Sequence, residues 1–214
     1  MDIGSRPSTD NPRPEPETAG GALGRGCVHL CVDMQRMFAE ETDWHAPWAA
    51  RVTPRIARIV AHRPERTIFT RFVPAQHAGQ GQGTWRRYYE RWSTMTIDRL
   101  GAPMIDIVEP LARFVPPAAV LDKTVYSPWL DDRLDRMLKA GGAETLAITG
   151  GETDVCVLAA VLGAVDRGFR VIVVSDALCS SSDETHDRLM DHYRQRFGQQ
   201  VETVDTQTLL EAWV

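Results

Sequence analysis

The chain has 214 residues, 43% of them hydrophobic and 25% charged, which is the composition of an ordinary soluble globular protein. Its formal net charge of -5 at pH 7, without any run rich in Lys and Arg, argues against a nucleic-acid partner and favours a small-molecule one. No apolar run reaches the roughly 18 to 20 residues that a bilayer span needs, and the N-terminus lacks the apolar core of a signal peptide, so we expect no membrane association and a cytoplasmic location.

The N-terminal segment differs in composition from the rest of the chain. Residues 1–25 are rich in Pro, Gly, Ser and charge with almost nothing to bury, which predicts a disordered tail ahead of one folded domain over residues 26–214. The cysteines are too few and too scattered for a disulfide scaffold, so we expect four free thiols in a reducing compartment: Cys27, Cys31, Cys156 and Cys179.

Short apolar runs alternate with longer amphipathic ones along the domain. The short runs, rich in β-branched residues, predict strands at 27–33, 67–72, 118–122, 145–150, 170–176 and 200–205. The longer runs predict helices at 47–61, 104–114, 129–140, 154–167, 184–197 and 206–213. This alternation indicates a parallel sheet with helices on both faces, because parallel neighbours need a crossover connection. Such sheets bind ligands beyond the carboxyl ends of their strands, which makes residues at strand ends the first candidates for chemistry.

An unusual insert follows the second predicted strand. Residues 71–96 contain a Gly-Gln run and then a cluster of Trp, Tyr and Arg side chains. That composition is typical of a hinged lid or a pocket wall. Trp, Tyr and Arg are also the favoured residues of protein contacts, so a dimer-contact loop is an equal alternative, and both interpretations can hold together.

Three polar side chains fall at the ends of predicted strands. Asp33 ends the first strand, Lys123 lies just beyond the third and Cys156 follows the fourth. Taken singly, each has a structural explanation, as a solvated turn carboxylate, a surface amine or a small buried thiol. Together they place groups of complementary chemistry at one edge of the sheet.

Cys156 has the most informative local sequence. Thr153 or Asp154 is predicted to cap a helix that has Cys156 in its first turn, where the helix dipole would favour a thiolate and lower the thiol pKa. Gly150 and Gly151 allow a sharp turn just before it, as in other joints that present a nucleophile between a strand and a helix. The sequence therefore predicts a reactive cysteine with backbone N–H groups beside it.

The segments "VDMQ", "DKTVYSPW", "ITGGETDVCV" and "VVSDALCSSSDETH", in this order and spacing, resemble the isochorismatase-like cysteine hydrolases, a group that includes nicotinamidases and N-carbamoylsarcosine amidase. The resemblance covers about residues 27–213. It implies a three-layer α/β/α sandwich with a six-stranded parallel sheet and assembly as homodimers or homotetramers.

The resemblance also assigns roles to residues of this chain. It makes Cys156 the nucleophile, Asp33 the acceptor of its proton and Lys123 the cation that supports the pair and keeps Asp33 ionised. It further implies a cis peptide at Gly151-Glu152, with the N–H groups of Glu152 and Cys156 forming an oxyanion hole. The implied reaction is amide hydrolysis through a thioester.

Two histidine-containing segments raise the question of a metal. Nicotinamidases of this family carry an Asp-x-His segment with a further His that binds a metal. The corresponding segment here, "RFVPAQHAG", holds only His77. This difference predicts no catalytic metal and argues against nicotinamide as the substrate. His29 lies between Cys27 and Cys31 on one face of a strand, which raises the possibility of a zinc site. Because no second pair of ligands is nearby, we favour a role for these residues in core packing.

We therefore expect a metal-independent cysteine hydrolase that needs no cofactor and cleaves a C–N bond of a small amide, imide or ureido compound. The alternatives are vinyl-ether hydrolysis of isochorismate, which in this family does not need the cysteine, and a noncatalytic small-molecule-binding protein on the same scaffold. The arginines of the insert hint at an anionic or carbonyl-rich ligand, and the aromatic residues at a flat one. The candidate substrate contacts are Arg71, Trp85, Arg86, Tyr89, Trp92, Tyr126 and Trp129.

Overall fold

The structure is a computed structural model that describes residues 21–214. Its strands are β1 (Cys27–Val32), β2 (Thr67–Phe72), β3 (Ala119–Lys123), β4 (Thr145–Gly151), β5 (Arg170–Cys179) and β6 (Val201–Val204). They form one six-stranded sheet in the order β3-β2-β1-β4-β5-β6, and every neighbouring pair is parallel. The predicted six-stranded parallel sheet is confirmed, and the order reverses beside β1 and β4, where open sheets of this kind place their ligand crevice.

The helices cover both faces of the sheet. They are α1 (Arg36–Ala39), α2 (Ala49–His62), α3 (Thr84–Arg91), α4 (Ile97–Leu100), α5 (Glu109–Ala112), α6 (Arg133–Ala140), α7 (Leu158–Asp166), α8 (Asp183–Arg196) and α9 (Thr206–Ala212). Buried side chains of α2, α5 and α9 form one apolar core with the sheet, and those of α6, α7 and α8 form the other. The result is the predicted three-layer α/β/α sandwich. Within the described residues, no helix is long and apolar enough to cross a membrane.

The central strand β1 is buried along its whole length, which explains its nearly continuous apolar sequence. Successive side chains alternate between the two cores: Cys27 and Cys31 pack on the side of α2, whereas Leu30 and Val32 pack on the side of α7. The strand therefore anchors both layers and delivers Asp33 at its carboxyl end.

His29 is a fully buried polar residue of β1. Its Nε2 lies 2.7 Å from the hydroxyl of Thr149, and its Nδ1 lies 3.3 Å from the hydroxyl of Thr67, so neighbouring strands satisfy both ring nitrogens. Burial lowers the pKa of His29 to about 3 and keeps the imidazole neutral. These contacts fit the core-packing interpretation of the Cys-His-Cys segment.

The predicted helix over 104–114 is wrong. The chain forms a 3-10 turn at Ala102–Ile105 and then, after a break, the short helix α5. Between them, Ile107 pairs with Gln35, and the N–H of Val108 donates to the carbonyl of Met34 at 3.0 Å. The backbone of this segment therefore hydrogen-bonds to the loop after β1. The spacing of apolar residues in the sequence does not reveal this tertiary contact.

The predicted boundary of the tail at residue 25 is also wrong. Residues 1–20 lie outside the described part of the chain, but Leu23 is buried and packs in the core on the α2 side. Its N–H donates to the carbonyl of Ala212 at 2.6 Å, and its carbonyl accepts from the N–H of Val214 at 3.0 Å. A single leucine among glycines has no periodicity, so only its C-terminal partner reveals that it is part of the fold.

Candidate active site

The carboxyl ends of β1, β3 and β4 bring the three candidate catalytic side chains together. Lys123 Nζ lies 2.6 Å from Asp33 Oδ2 and 3.5 Å from Cys156 Sγ, and all three residues are buried. Residues 33, 123 and 156 are far apart in the chain, so this contact depends on the parallel sheet that aligns their strands. The geometry unites a thiol, a carboxylate and an ammonium group within hydrogen-bonding reach.

Asp33 is held by two neighbouring strands. Its backbone φ is +49°, in the left-handed region, a conformation that Asp tolerates better than most residues. The Thr70 hydroxyl accepts from the N–H of Asp33 at 3.2 Å and donates to Asp33 Oδ1 at 2.6 Å, while Lys123 binds the other oxygen, Oδ2. Thr70 was not anticipated as a site residue, although it is one of three polar residues in β2.

The side-chain amide of Gln35, from "VDMQ", ties the loop after β1 to the end of β2. Its Nε2 donates to the carbonyls of Phe72 at 2.9 Å and Ile105 at 2.7 Å, and its Oε1 accepts from the N–H of Phe72 at 2.6 Å. Gln35 is fully buried, and these bonds satisfy both ends of its amide. The residue therefore fixes the distance between Asp33 and the cavity wall that Phe72 provides.

Lys123 uses all three ammonium hydrogens in this site. Besides Asp33 and Cys156, the third acceptor is the carbonyl of Val125 at 3.2 Å, and the ring of Phe72 lies 5.2 Å from Nζ. Burial is the largest single influence and opposes the charged amine, but Asp33 and Cys156 together outweigh it and raise the pKa of Lys123 above its usual value. Lys123 is therefore a fixed cation at neutral pH.

Cys156 lies in a single turn of π-helix, Thr153–Val157, that precedes α7. Its burial is the largest influence on the thiol, followed by the charge of Asp33, and both raise the pKa of Cys156 well above its usual value, while Lys123 opposes them. The prediction that the helix start lowers this pKa is wrong, because desolvation and the charge of Asp33 raise it. The resting side chain is a protonated thiol.

The predicted helix caps are wrong as well. The N-cap position is Glu152, and no side chain caps it. The Thr153 hydroxyl instead donates to the carbonyl of Cys179 at 3.0 Å and accepts from His186 Nδ1 at 2.9 Å, while Asp154 accepts from the Ser180 hydroxyl at 2.5 Å. These side chains anchor the nucleophile turn to the end of β5 and the start of α8.

The backbone before Cys156 has the predicted turn. Gly150 has φ of +104°, and a Cβ at this position would lie 2.0 Å from the carbonyl oxygen of Val32, so only glycine fits beside β1. The peptide bond between Gly151 and Glu152 is cis, as the resemblance implied. Among the described residues, no acceptor is found for the N–H of Glu152, which leaves it available to a ligand.

A cavity of about 280 Å³ opens onto Cys156. This volume lies near the lower end of the range for small-molecule sites, roughly 300 to 1,000 Å³, so the ligand must be small. Aromatic side chains form most of its wall. The lining residues are Phe38, Asp43, Trp44, Phe72, Tyr88, Trp92, Tyr126, Glu152, Val155, Cys156 and Ser181.

The aromatic residues of the predicted substrate set divide into lining and supporting positions. Trp92 and Tyr126 line the cavity. Trp85 and Tyr89 do not, because they pack behind the wall: the ring of Trp85 lies 4.9 Å from that of Tyr126, and Tyr89 is buried in the same aromatic cluster. Tyr88, next to them on α3, lines the cavity instead.

Neither of the two predicted arginine contacts lines the cavity. Arg71 points away from the cavity, because Thr70 and Phe72 on either side of it in β2 face the site and strand side chains alternate. Its guanidinium binds both oxygens of Asp122 at 2.7 and 2.8 Å. Arg86 is exposed on α3 and is not among the lining residues. The hint of an anionic ligand, which rested on these side chains, therefore loses its support.

Trp129 is a packing residue rather than a substrate contact. Its Nε1 donates to the carbonyl of Ala160 at 3.0 Å, and the Arg167 guanidinium lies 4.4 Å from its ring. A Cβ on Gly163 would lie 2.1 Å from the indole, so α7 needs a glycine where Trp129 crosses it. This aromatic side chain holds the β3–α6 connection against α7.

The segment after Asp33 supplies part of the cavity wall that sequence reasoning missed. Phe38, Asp43 and Trp44 lie in or after the short helix α1 and line the cavity. The sequence "RMFAEETDW" held the available signal, because it places aromatic and acidic residues directly after a candidate catalytic carboxylate. Its position relative to Cys156 depends on the fold of the loop, which the sequence pattern does not specify.

The residues present do not fit the metal site of nicotinamidases. His77 is exposed, and its Nδ1 lies 3.3 Å from Asp98 Oδ2 outside the cavity. Over the described range 21–214, no group of three or more His, Cys, Asp or Glu side chains is arranged to hold a metal ion.

We expect iodoacetamide to modify Cys156 before the other cysteines, because within the described residues it is the thiol that lines the cavity. Since burial raises the pKa of Cys156 above both values, the thiolate fraction falls about tenfold per pH unit, and the reaction is expected to be at least about 100-fold slower at pH 6 than at pH 8.5. Timed labelling followed by peptide mass spectrometry measures both the order and the rates. Equal rates at the two pH values would contradict a protonated resting thiol. Earlier labelling of Cys27 or Cys31 would contradict the assignment of Cys156 as the accessible thiol.

Solved structures with the same architecture include two hydrolases. A cysteine hydrolase from Pseudomonas syringae pv. phaseolicola matches with a TM-score of 0.75 at 22% identity, over 88% of this chain and 92% of that one. N-carbamoylsarcosine amidase from Thermoplasma acidophilum matches with a TM-score of 0.67 at 19% identity, over 84% and 96%. At these identities the likeness shows a shared fold.

Two curated relatives share local sequence with the chain. An uncharacterised isochorismatase family protein, PncA, of Bacillus subtilis is 32% identical over 81 residues, which are 38% of this chain and 44% of that protein. Maleamate amidohydrolase of Pseudomonas putida is 32% identical over 110 residues, 48% of this chain and 52% of that protein. The chain thus spans about half the length of these relatives.

The family assignment rests on most of the domain rather than on these shorter matches. A family model described as the isochorismatase domain matches residues 27–205, from the start of β1 to the residue after β6. That range contains all six strands together with Asp33, Lys123 and Cys156. The chain therefore belongs to the isochorismatase family.

Proposed function

We propose that this protein is a metal-independent cysteine hydrolase that cleaves a C–N bond of a small amide, imide or ureido compound through a thioester. One observation carries the proposal: Lys123 Nζ contacts both Asp33, at 2.6 Å, and Cys156 Sγ, at 3.5 Å, where the cavity reaches the thiol. The names of related proteins support the same chemistry, since they include maleamate amidohydrolase and N-carbamoylsarcosine amidase.

In the first step, the thiol of Cys156 attacks the substrate carbonyl. Because the pKa of Cys156 is raised, its proton must leave during the attack, and the adjacent Asp33 carboxylate is the acceptor. A bond forms between sulfur and the carbonyl carbon, and the oxyanion accepts hydrogen bonds from the N–H groups of Glu152 and Cys156. The C–N bond then breaks, Asp33 returns the proton to the leaving nitrogen, and ammonia or an amine departs from the thioester.

In the second step, water replaces the thiol. Asp33 accepts a proton from the water as its oxygen attacks the thioester carbon, and the same N–H groups stabilise the oxyanion. The C–S bond breaks, the thiolate of Cys156 takes back a proton from Asp33, and the carboxylic acid is released. Each group returns to its starting state, so the cycle consumes one amide and one water.

Lys123 acts on both partners of this proton transfer. Its ammonium group stays charged because the Asp33 carboxylate raises its pKa, and its position 3.5 Å from Sγ stabilises the thiolate as it forms. A buried cation between the two groups also keeps them in one arrangement between the two steps. The vinyl-ether alternative has no use for a thiol in this position.

A panel of primary amides, ureides and hydrazides, assayed for release of ammonia or amine, tests the proposal directly. We expect at least one small primary amide to be hydrolysed, and the rate to be the same after dialysis against a chelator because no metal takes part. A rate that falls on chelation and returns with a divalent metal would contradict metal independence. Hydrolysis of a chorismate-type vinyl ether without any amide turnover would contradict the assigned bond.

A further inference from the structure

We infer that the cavity above Cys156 selects substrates that carry a positively charged ammonium group. This inference rests on the proposed function, because it specifies which small amides the thiol receives. Two independent features of the cavity support it, an aromatic wall and a pair of carboxylates, and they replace the anionic ligand suggested by the arginines of the sequence.

The aromatic wall surrounds Trp44. Its ring centroid lies 6.1 Å from that of Phe38, 5.9 Å from Phe72, 5.8 Å from Tyr88 and 6.4 Å from Trp92, in orientations from stacked to edge-on. Each of these rings lines the cavity. Aromatic side chains along the wall of one small cavity provide a surface that attracts quaternary and protonated amines through cation–π contacts.

The charged lining residues are carboxylates. Asp43 lies on the exposed side of the cavity, where the Thr94 hydroxyl donates to it at 2.5 Å and fixes its position. Glu152 lies on the inner side, next to Cys156 in the lining, and is half-buried. Burial raises the pKa of Glu152, although hydrogen bonds from Ser181 oppose this shift. Within residues 21–214, neither carboxylate forms an ion pair with a protein side chain, so a bound cation would be their ion-pair partner.

The cations near the cavity do not cancel this preference. The described lining contains no Lys, Arg or His side chain. Lys123 lies below the thiol, and the Asp33 carboxylate at 2.6 Å compensates its charge. Arg91 stacks on the Trp92 ring at 5.1 Å, but it is exposed and outside the lining, so solvent screens it. The net field in the cavity therefore favours a cation.

Pairs of substrates that differ only in charge provide the test. Trimethylammonioacetamide and its neutral carbon isostere 3,3-dimethylbutanamide have the same shape, and the homologues with two further methylenes, 4-(trimethylammonio)butanamide and 5,5-dimethylhexanamide, place the charge further from the carbonyl. Succinamate supplies a negative charge. We expect kcat/KM for ammonia release to be at least about tenfold higher for a cation than for its isostere, and lowest for succinamate. An isostere or succinamate that matches or exceeds the cation overturns the inference.

Charge-neutralising variants locate the preference. For each variant we compare kcat/KM for the cation with kcat/KM for its isostere. A general loss of activity cancels in this ratio. Glu152→Gln and Asp43→Asn are expected to lower this ratio several-fold, whereas Glu41→Gln, an exposed carboxylate two residues from Asp43 and outside the lining, is expected to keep it. A ratio that Glu152→Gln and Asp43→Asn leave unchanged contradicts the role of these carboxylates.

A binding measurement separates this inference from the proposed hydrolysis. Calorimetric titration of the Cys156→Ala protein with trimethylammonioacetamide and with 3,3-dimethylbutanamide needs no turnover. Tighter binding of the cation, by about tenfold, supports the inference even if wild type releases no ammonia. The absence of ammonia release would then defeat only the hydrolase proposal. Equal binding of the two compounds, or no binding of the cation, overturns the inference even if wild type hydrolyses neutral amides.

Discussion

Cys156→Ala is expected to lower kcat for the amide that the wild-type protein hydrolyses by at least about 10³-fold, because removing a catalytic nucleophile leaves only binding and the oxyanion site. Without sulfur at this position no thioester can form, and Lys123 and Asp33 retain their ion pair but have no proton to transfer. Steady-state assays of ammonia release, with acid-quenched mass spectrometry of wild type to detect an acyl adduct on Cys156, measure both consequences.

Cys27→Ala is a matched control for this change. Cys27 is also buried but begins β1, whereas the site follows the other end of that strand, roughly 20 Å away at about 3.3 Å per residue. The control is expected to lose some stability from the small cavity and to keep kcat. Activity that survives in Cys156→Ala would defeat the thioester mechanism, and an equal loss of kcat in both variants would point to a general disturbance of the fold.

Lys123→Met is expected to affect both stability and turnover. It removes the cation from a buried ion pair and leaves the Asp33 carboxylate without compensation, which costs about 3–5 kcal/mol in the free energy of unfolding. Turnover is expected to fall by about 10²-fold or more, because the forming thiolate also loses its neighbouring cation. Urea unfolding and ammonia-release assays measure the two effects.

A double variant separates the structural effect from the catalytic one. In Lys123→Met/Asp33→Asn both buried charges are absent, so we expect much of the lost stability to return while turnover stays near background. Near-normal turnover of Lys123→Met would contradict the role proposed for the lysine. A double variant as unstable as Lys123→Met would show that the unpaired carboxylate is not the cause of its instability.

The same lysine gives wild type a stability component that depends on pH. Because the pKa of Lys123 is raised in the folded state, the charged amine stabilises the fold fully below the unfolded pKa, about 10.4. This contribution is lost as pH rises through the folded-state value. Urea unfolding should therefore show a similar pH dependence in wild type and Lys123→Met up to about pH 10, and a steeper loss of stability in wild type above it.

The sequence predicted the architecture well because the signals for it are local. Buried parallel strands are short runs of β-branched residues, and the crossovers between them are amphipathic helices, so the order of strands along the chain could be read directly. Where an element depends on a distant partner, prediction failed. The break after Ile105 follows from pairing with Gln35, and the burial of Leu23 follows from pairing with the C-terminus.

The thiol of Cys156 also combines a feature that the local sequence predicted with one that depends on distant contacts. Its place between a strand and a helix was evident from "GGETDVC", and the glycines before it have the predicted turn. Its protonation state was predicted wrongly, because the local helix end favours a thiolate whereas desolvation by the surrounding layers, together with Asp33, favours the thiol. Desolvation sums over neighbours from the whole domain and has no signature in a short motif.

The sequence alone determined the parallel sheet and the strand ends that carry Asp33, Lys123 and Cys156, since these depend on the order and periodicity of neighbouring residues. The resemblance of its motifs pointed to the family. The tertiary structure decided which side chains face the substrate. Arg71 turned outward because strand side chains alternate, Trp129 packed against α7, and Asp43 and Trp44 entered the cavity from a loop. The direction of a side chain depends on contacts between segments distant in the chain, and for this reason the charge of the cavity could be read only from the folded protein.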